Sequence, residues 1–128
     1  MKLLIHDYAG HAFPIQLSRE LARRGHLVTH AYSGGLLTPR GELEAGPDDP
    51  LTLNFREVPM SPLYRKNKYS FVKRLCYERS YGFELRKLVA ELEPELIISG
   101  QTPSEPQWRL ISYAKANQIP VVSWVQDF

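Results

Sequence analysis

The sequence predicts an α/β domain built on a doubly wound parallel sheet. Three observations lead there. Short apolar runs such as Leu3-Leu4-Ile5, Leu96-Ile97-Ile98 and Val121-Val122 alternate along the chain with segments of helical spacing, the order expected of βαβ units. These runs are continuous rather than alternating, which suits strands buried on both faces. At 128 residues and 43% hydrophobic composition, the chain can bury one sizeable core and has no room for two.

Leu3 to Ile5 is expected to be the central strand. Pro14 fits the first turn of the following helix, where Leu17 and Leu21 share a face, Arg19, Glu20 and Arg23 point outward, and Gly25 ends it. Leu27 to Tyr32 is the second strand. From Ser33 to Pro50 the composition turns to Gly, Pro and acidic residues, the mark of a long surface loop. Leu51 to Val58 alternates as a third strand near a sheet edge, and Pro59-Met60-Ser61-Pro62 stops it.

Val72, Leu75, Cys76, Leu85, Leu88, Val89 and Leu92 keep helical spacing. Tyr69 to Glu93 is therefore one long helix or two abutting ones, with Gly82 as the weak point and Pro94 as the stop. Leu96 to Ile98 forms the fourth strand. In Thr102-Pro103-Ser104-Glu105 the sequence offers an N-cap, a proline in the first helical position and a capping-box glutamate, so a helix should run to about Asn117. Val121 to Trp124 is the last strand, and the chain ends at Gln126-Asp127-Phe128. A sheet that ends without a covering helix implies that more protein follows.

A formal charge of +2 gives no reason to expect a nucleic-acid partner. Cys76 is the only cysteine, so no internal disulfide forms; a buried structural thiol in a reducing compartment is the expectation. No run approaches the roughly 18 apolar residues that a membrane span needs, and His6 and Asp7 interrupt the amino terminus too early for a signal peptide. The protein is thus expected to be cytoplasmic and to start at Met1.

In an open parallel sheet, ligands bind beyond the carboxyl ends of the strands, near the point where strand order reverses. That rule gathers the loops His6 to Phe13, Gly100 to Pro103 and Gln126 to Phe128. Asp7-Tyr8-Ala9-Gly10-His11 has one glycine where a dinucleotide fingerprint needs three, and there is no phosphate-cradling Gly-Lys-Ser/Thr. Gly10 can let a ligand approach the backbone ahead of a helix N-terminus, or can simply serve a turn. His6, Asp7, His11 and Asp127 have the chemistry of a metal-dependent hydrolase but match no ligand spacing, and hydrogen-bonding roles are expected instead. His26 and His30 are four apart on a strand, about 13 Å, and are read as structural. Trp108, Tyr113 and Trp124 are expected in the core or at its rim.

Around Tyr64 and Tyr69 the cations Arg65, Lys66, Lys68, Lys73 and Arg74 cluster. Mixed with aromatics, they suit an anionic membrane surface or the phosphate of an acceptor, against the alternative of a solvated face.

The stretches Ile5 to His11, Gln16 to Tyr32, Glu78 to Gly82, Ser99 to Pro103 and Ser123 to Asp127 resemble the amino-terminal, acceptor-side domain of bacterial family-four glycosyltransferases of GT-B architecture. The resemblance is greatest to enzymes of the colanic-acid and exopolysaccharide type. It covers nearly all of residues 1–128 and implies a single Rossmann-like domain, one half of a GT-B enzyme, whose carboxyl-terminal donor-binding domain is absent from this sequence. It further implies retaining transfer of a sugar from a nucleotide-sugar donor to a lipid-linked or saccharide acceptor, with no metal and no cofactor. Asp7, Gly10, His11, Gln101, Thr102 and Gln126 would border the substrate cleft. Asp127 stands where relatives place the aspartate of a His-Asp pair and would be the catalytic candidate; Gln126 departs from that histidine. Alone, such a domain is expected to be inactive, and peripheral at the inner face of the membrane. The rival readings are a non-catalytic docking subunit and a metal-dependent sugar deacetylase.

Overall fold

Every apolar run becomes a strand. The computed structural model describes residues 1–9, 12–34, 46–64, 66–67 and 69–124. Its elements are β1 (Lys2–Asp7), α1 (Ala12–Arg23), β2 (Leu27–Ser33), β3 (Leu53–Val58), α2 (Phe71–Leu92), β4 (Leu96–Ser99), α3 (Ser104–Ala116) and β5 (Val121–Ser123). All strand pairs are parallel, in the order β3-β2-β1-β4-β5, so β1 is central and β3 lies at an edge, as the sequence predicts. This is a Rossmann-like α/β sheet with helices on both faces.

Alternation along the strands divides the core in two. Leu3, Ile5, Val28 and Leu53 face α1, with Ala22 buried and Leu17 and Leu21 packed against them. Leu4, Ala31, Val58 and Ile97 face α2 and α3, and pack with Tyr81, Leu85, Leu88, Val89, Leu110 and Ala114. Pro14 is buried in the first turn of α1, and Gly25, at φ +96, lets the chain leave that helix toward β2.

Of the two readings left open for Tyr69 to Glu93, the single long helix is the one found: α2 is continuous, and Gly82 is a buried contact point, where an added Cβ would stand 2.9 Å from Arg109 Cδ and 3.1 Å from Pro106 Cα. Three local expectations are corrected. Val72, Leu75 and Cys76 keep helical spacing yet are exposed, because the first turns of α2 extend past the sheet; Cys76 is therefore not a buried thiol. Thr102 does not cap α3. Its hydroxyl donates to the Gly100 carbonyl at 2.8 Å, Pro103 occupies the cap position, and Glu105 pairs with Arg109 at 2.8 Å instead of closing a capping box. Finally, Trp108 is 61% exposed on the outer face of α3 and Trp124 packs on Phe13 at the sheet's end, so neither is a core residue. Tyr113 does pack at the core's rim. Most of the Ser33 to Pro50 loop lies outside the described residues; of it, Asp49 accepts from Gly46 N and pairs with Arg19 at 3.1 Å.

Candidate functional site

Strand order reverses between β1 and β4: β1 leads outward to β2, and β4 leads the other way to β5. The crevice at the carboxyl ends of these two strands is where an open α/β sheet holds a ligand. Backbone bonds fix its floor, with Gly100 N donating to His6 O at 2.9 Å and Trp124 N to Ser99 O at 2.7 Å.

Beneath the crevice lies a buried polar chain. His6 Nδ1 is 3.1 Å from Ser99 Oγ, and His6 Nε2 is 2.7 Å from the Tyr81 hydroxyl. Ser99 gives its only proton to Gln107 Oε1 at 2.9 Å, so toward His6 it can only accept. The imidazole is therefore protonated on Nδ1, and Tyr81 donates to Nε2. Gln107 continues the chain toward Ser123 Oγ at 3.5 Å. One sequence of donors thus ties α2, β1, β4, α3 and β5 together. Burial, reinforced by the positive charge of His30, holds the His6 imidazole down to about 3, so it stays neutral. With no exposed surface and both nitrogens engaged, His6 acts on its neighbours and not on a ligand.

A second cluster leads outward from the loop after β1. Tyr8 packs edge-on against Tyr81 at 5.2 Å, and its hydroxyl shares a hydrogen bond with Tyr64. Tyr64 donates its proton to Glu78 Oε1 at 2.6 Å, so Tyr8 is the donor in the pair. Burial raises the pKa of both phenols, and Tyr81 is raised further by Tyr8 and Asp7; all three stay protonated at neutral pH. Glu78, nearly buried, also meets Arg74 at 3.6 Å.

Of the residues expected to border the cleft, Asp7, Gln101 and Thr102 are described. Asp7 is buried at the end of β1, Gln101 is exposed and Thr102 is half-buried, the last two directly after β4. Gly10, His11, Gln126 and Asp127, with Arg65 and Lys68, lie outside the described residues. Lys66 and Lys73 are exposed and Arg74 is paired with Glu78. His26 and His30 do not converge: His26 lies against the amino-terminal nitrogen at 3.1 Å, while buried His30 bonds Ser18 at 2.7 Å. No group of three or more potential metal ligands forms among the described residues.

Sequence reasoning gave no individual role to Ser99, Tyr81 or Gln107, and it read Tyr8 only as part of the loop after the first strand and Tyr64 only as part of the basic, aromatic stretch. For Ser99 the signal was available: it follows Ile97 by two in an apolar run and so falls on the same sheet face as His6. Tyr81 and Gln107 reach the chain from α2 and α3, which only packing reveals.

No protein-family model matches the chain, and no curated protein does. Solved structures do. The Bordetella bronchiseptica enzyme WbmH, in complex with NAD+, is 16% identical over 93% of this chain and 36% of its own, with a TM-score of 0.58. LpCGTa in complex with UDP is 13% identical over 94% of this chain and 30% of its own, at 0.61. The calicheamicin glycosyltransferase CalG4 is 16% identical over 100% of this chain and 31% of its own, at 0.59. The likeness is one of fold. This chain spans about a third of the length of each of the three.

Proposed function

We propose that this chain is the acceptor-side domain of a glycosyltransferase. The observation that carries the reading is the make-up of the switch-point crevice. Thr102, Gln107 and Ser123 offer neutral hydroxyl and amide groups there, the exposed Gln101 adds another, and Phe13 and Trp124 stand together with ring centres 4.8 Å apart. Neutral hydrogen-bonding groups match the many hydroxyls of a saccharide, and aromatic faces match its apolar ring faces. Of the structural neighbours named above, CalG4 is a glycosyltransferase and LpCGTa is complexed with UDP, which accords with a nucleotide-sugar reaction in this fold.

The finer reading rests on the sequence resemblance: a family-four enzyme of the exopolysaccharide type, retaining and independent of metal, whose acceptor is a lipid-linked or free saccharide. Asp7, Gly10, His11, Gln101, Thr102 and Gln126 border its substrates, and Asp127 orients the acceptor hydroxyl through a hydrogen bond. The donor is held mainly by a second domain or chain. The deacetylase alternative loses His6, whose two nitrogens are engaged in hydrogen bonds.

Titration of the purified chain with saccharide acceptors and nucleotide sugars, alone and with a donor-domain chain, tests this. Acceptor binding by the chain alone, with transfer only when both parts are present, is the expected outcome. Tight binding of nucleotide by this chain alone would overturn the assignment of the acceptor half. A docking subunit is the second reading, favoured by Val122, which is 51% exposed on the sheet face shared with half-buried Ile98. For that reading, the chain would bind neither substrate class and would only complete a partner.

A further inference from the structure

Helices α2 and α3 lie side by side on one face of the sheet and run in the same direction, because each returns the chain between parallel strands. Gly82 meets Pro106 and Arg109 toward one end of the pair, and Val89 and Ala90 share a hollow with Tyr113 and Asn117 toward the other. Along the groove between the helices, Phe83, Arg86, Ala90 and Glu93 recur at spacings of three and four. Two hollows mark this groove. One, of about 240 Å³, lies among Arg86, Trp108, Arg109 and Tyr113. The other, of about 310 Å³, has Val89, Ala90, Pro94, Tyr113 and Ile119 in its walls, with Glu93 beside them.

The two ends carry opposite charge. At the first, Arg109 is held by Glu105 at 2.8 Å, but Arg86 lies 5.8 Å from the Phe83 ring centre and 5.9 Å from that of Tyr113 and forms no ion pair among the described residues. Trp108 beside it is 61% exposed. At the second end Glu93 is exposed and forms no ion pair among the described residues either. Its backbone is left-handed, at φ +48, where glycine is favoured, and its carboxylate adds to the negative ends of two helices. Helix α2 has no basic residue in its last turn to offset that charge, and Lys115 of α3 does not line the hollow.

The groove thus holds both halves of one contact: a guanidinium and an exposed indole at one end, an acidic hollow with apolar walls at the other. Arg86 and Glu93 are seven positions apart, about two turns or about 10 Å along one face of α2. Turning a second copy over about an axis level with Val89 and Ala90 sets each Arg86 opposite the other copy's Glu93. Trp108, which the Gly82 contact places about level with Phe83, then falls at the Pro94 and Ile119 end of the other copy's hollow. Ala90, Ser112 and Ala116 are small and let the helices approach. Complementarity of a surface to itself is the condition for a two-fold dimer, and Trp, Tyr and Arg are the side chains that anchor interfaces.

We propose that the groove between α2 and α3 is an interface between two copies of this chain, in which Arg86 of each pairs with Glu93 of the other and Trp108 of each fills the other's hollow. No residue of the switch-point crevice takes part, so the inference stands apart from the glycosyltransferase reading. Analytical ultracentrifugation of the 128-residue chain, from micromolar to submillimolar concentration, tests it. A reversible monomer–dimer equilibrium with no larger species is expected. Arg86→Glu and Glu93→Arg, each at an exposed position, set like charges opposite one another and should each raise the dissociation constant about a hundredfold or more. An equimolar mixture of the two single variants should form a dimer again, since each then meets its opposite charge at both contacts. Trp108→Ala should also weaken the dimer, and it decides should either charge variant melt early. A chain that stays monomeric throughout would give the groove to a different partner and overturn the proposal. So would a dimer indifferent to these substitutions, a mixture that stays monomeric, or an open series of larger species, which would mean a head-to-tail contact.

Discussion

His6 is the residue on which the site's floor depends. Its neutral, Nδ1-protonated ring accepts from Tyr81 and donates to Ser99, and Ser99 passes the direction on to Gln107. In a fully buried setting each link is worth most when its neighbours are satisfied. Tyr81→Phe removes only an oxygen, yet it leaves His6 Nε2 as a buried acceptor with no donor. The expected cost is about 1–3 kcal/mol, read from urea unfolding, with little change in the far-ultraviolet circular dichroism. A stability equal to wild type would mean that the Tyr81 hydroxyl is not the donor that holds His6.

At the scale of elements, the packing of α2 against α3 turns on Gly82. The helix stays continuous through it because tertiary contact outweighs the local cost of glycine, roughly 1 kcal/mol relative to alanine. An alanine there would gain in helix propensity but press on the backbone of Pro106 and the side chain of Arg109. Arg109 is held in turn by Glu105 at 2.8 Å and lies 4.1 Å from the Phe83 ring centre, so it has little freedom to retreat. Gly82→Ala should therefore destabilise by about 1–3 kcal/mol, as overpacking does, where an exposed helix glycine would show the opposite sign. Thermal melting of the variant distinguishes the two.

The whole molecule couples both faces of its sheet to pH. His6 lies on the face covered by α2 and α3, and His30 on the α1 face, where Ser18 bonds it and Phe55 packs against it. Burial depresses both, His6 to about 3 and His30 to about 4, with Arg19 adding to the effect at His30. In the unfolded chain each would titrate near 6.5. Between those values the unfolded state binds more protons, so stability is full above about 6.5 and falls with acidification. Each histidine contributes a slope of roughly 1 kcal/mol per pH unit, down to about 4 for His30 and about 3 for His6. Urea midpoints measured from pH 7 to pH 4.5 should fall accordingly, and His30→Gln should flatten the curve by about one proton. A flat wild-type profile would mean that neither ring is held neutral by the fold.

The sequence by itself determined the sheet. Uninterrupted apolar runs, a proline in the first turn of α1, Gly25 at its end and Pro94 after α2 are local signals of chain direction and period, and each marked its element to within a few residues. The central place of β1 and the edge position of β3 were legible for the same reason: burial on two faces, or alternation, is written into neighbouring residues. What only the tertiary structure decided was contact between elements. Helical spacing marked Val72, Leu75 and Cys76 as part of one helix, and Cys76 was expected to be buried, but period says which residues share a stripe and not where the opposing layer ends. Thr102 carried a capping signature, yet its hydroxyl found the Gly100 carbonyl nearer. In the His6, Ser99, Tyr81 and Gln107 chain, His6 bonds Ser99 and Tyr81, 93 and 75 positions away in sequence, and hydrogen bonds of that reach exist only once the strands and helices have packed.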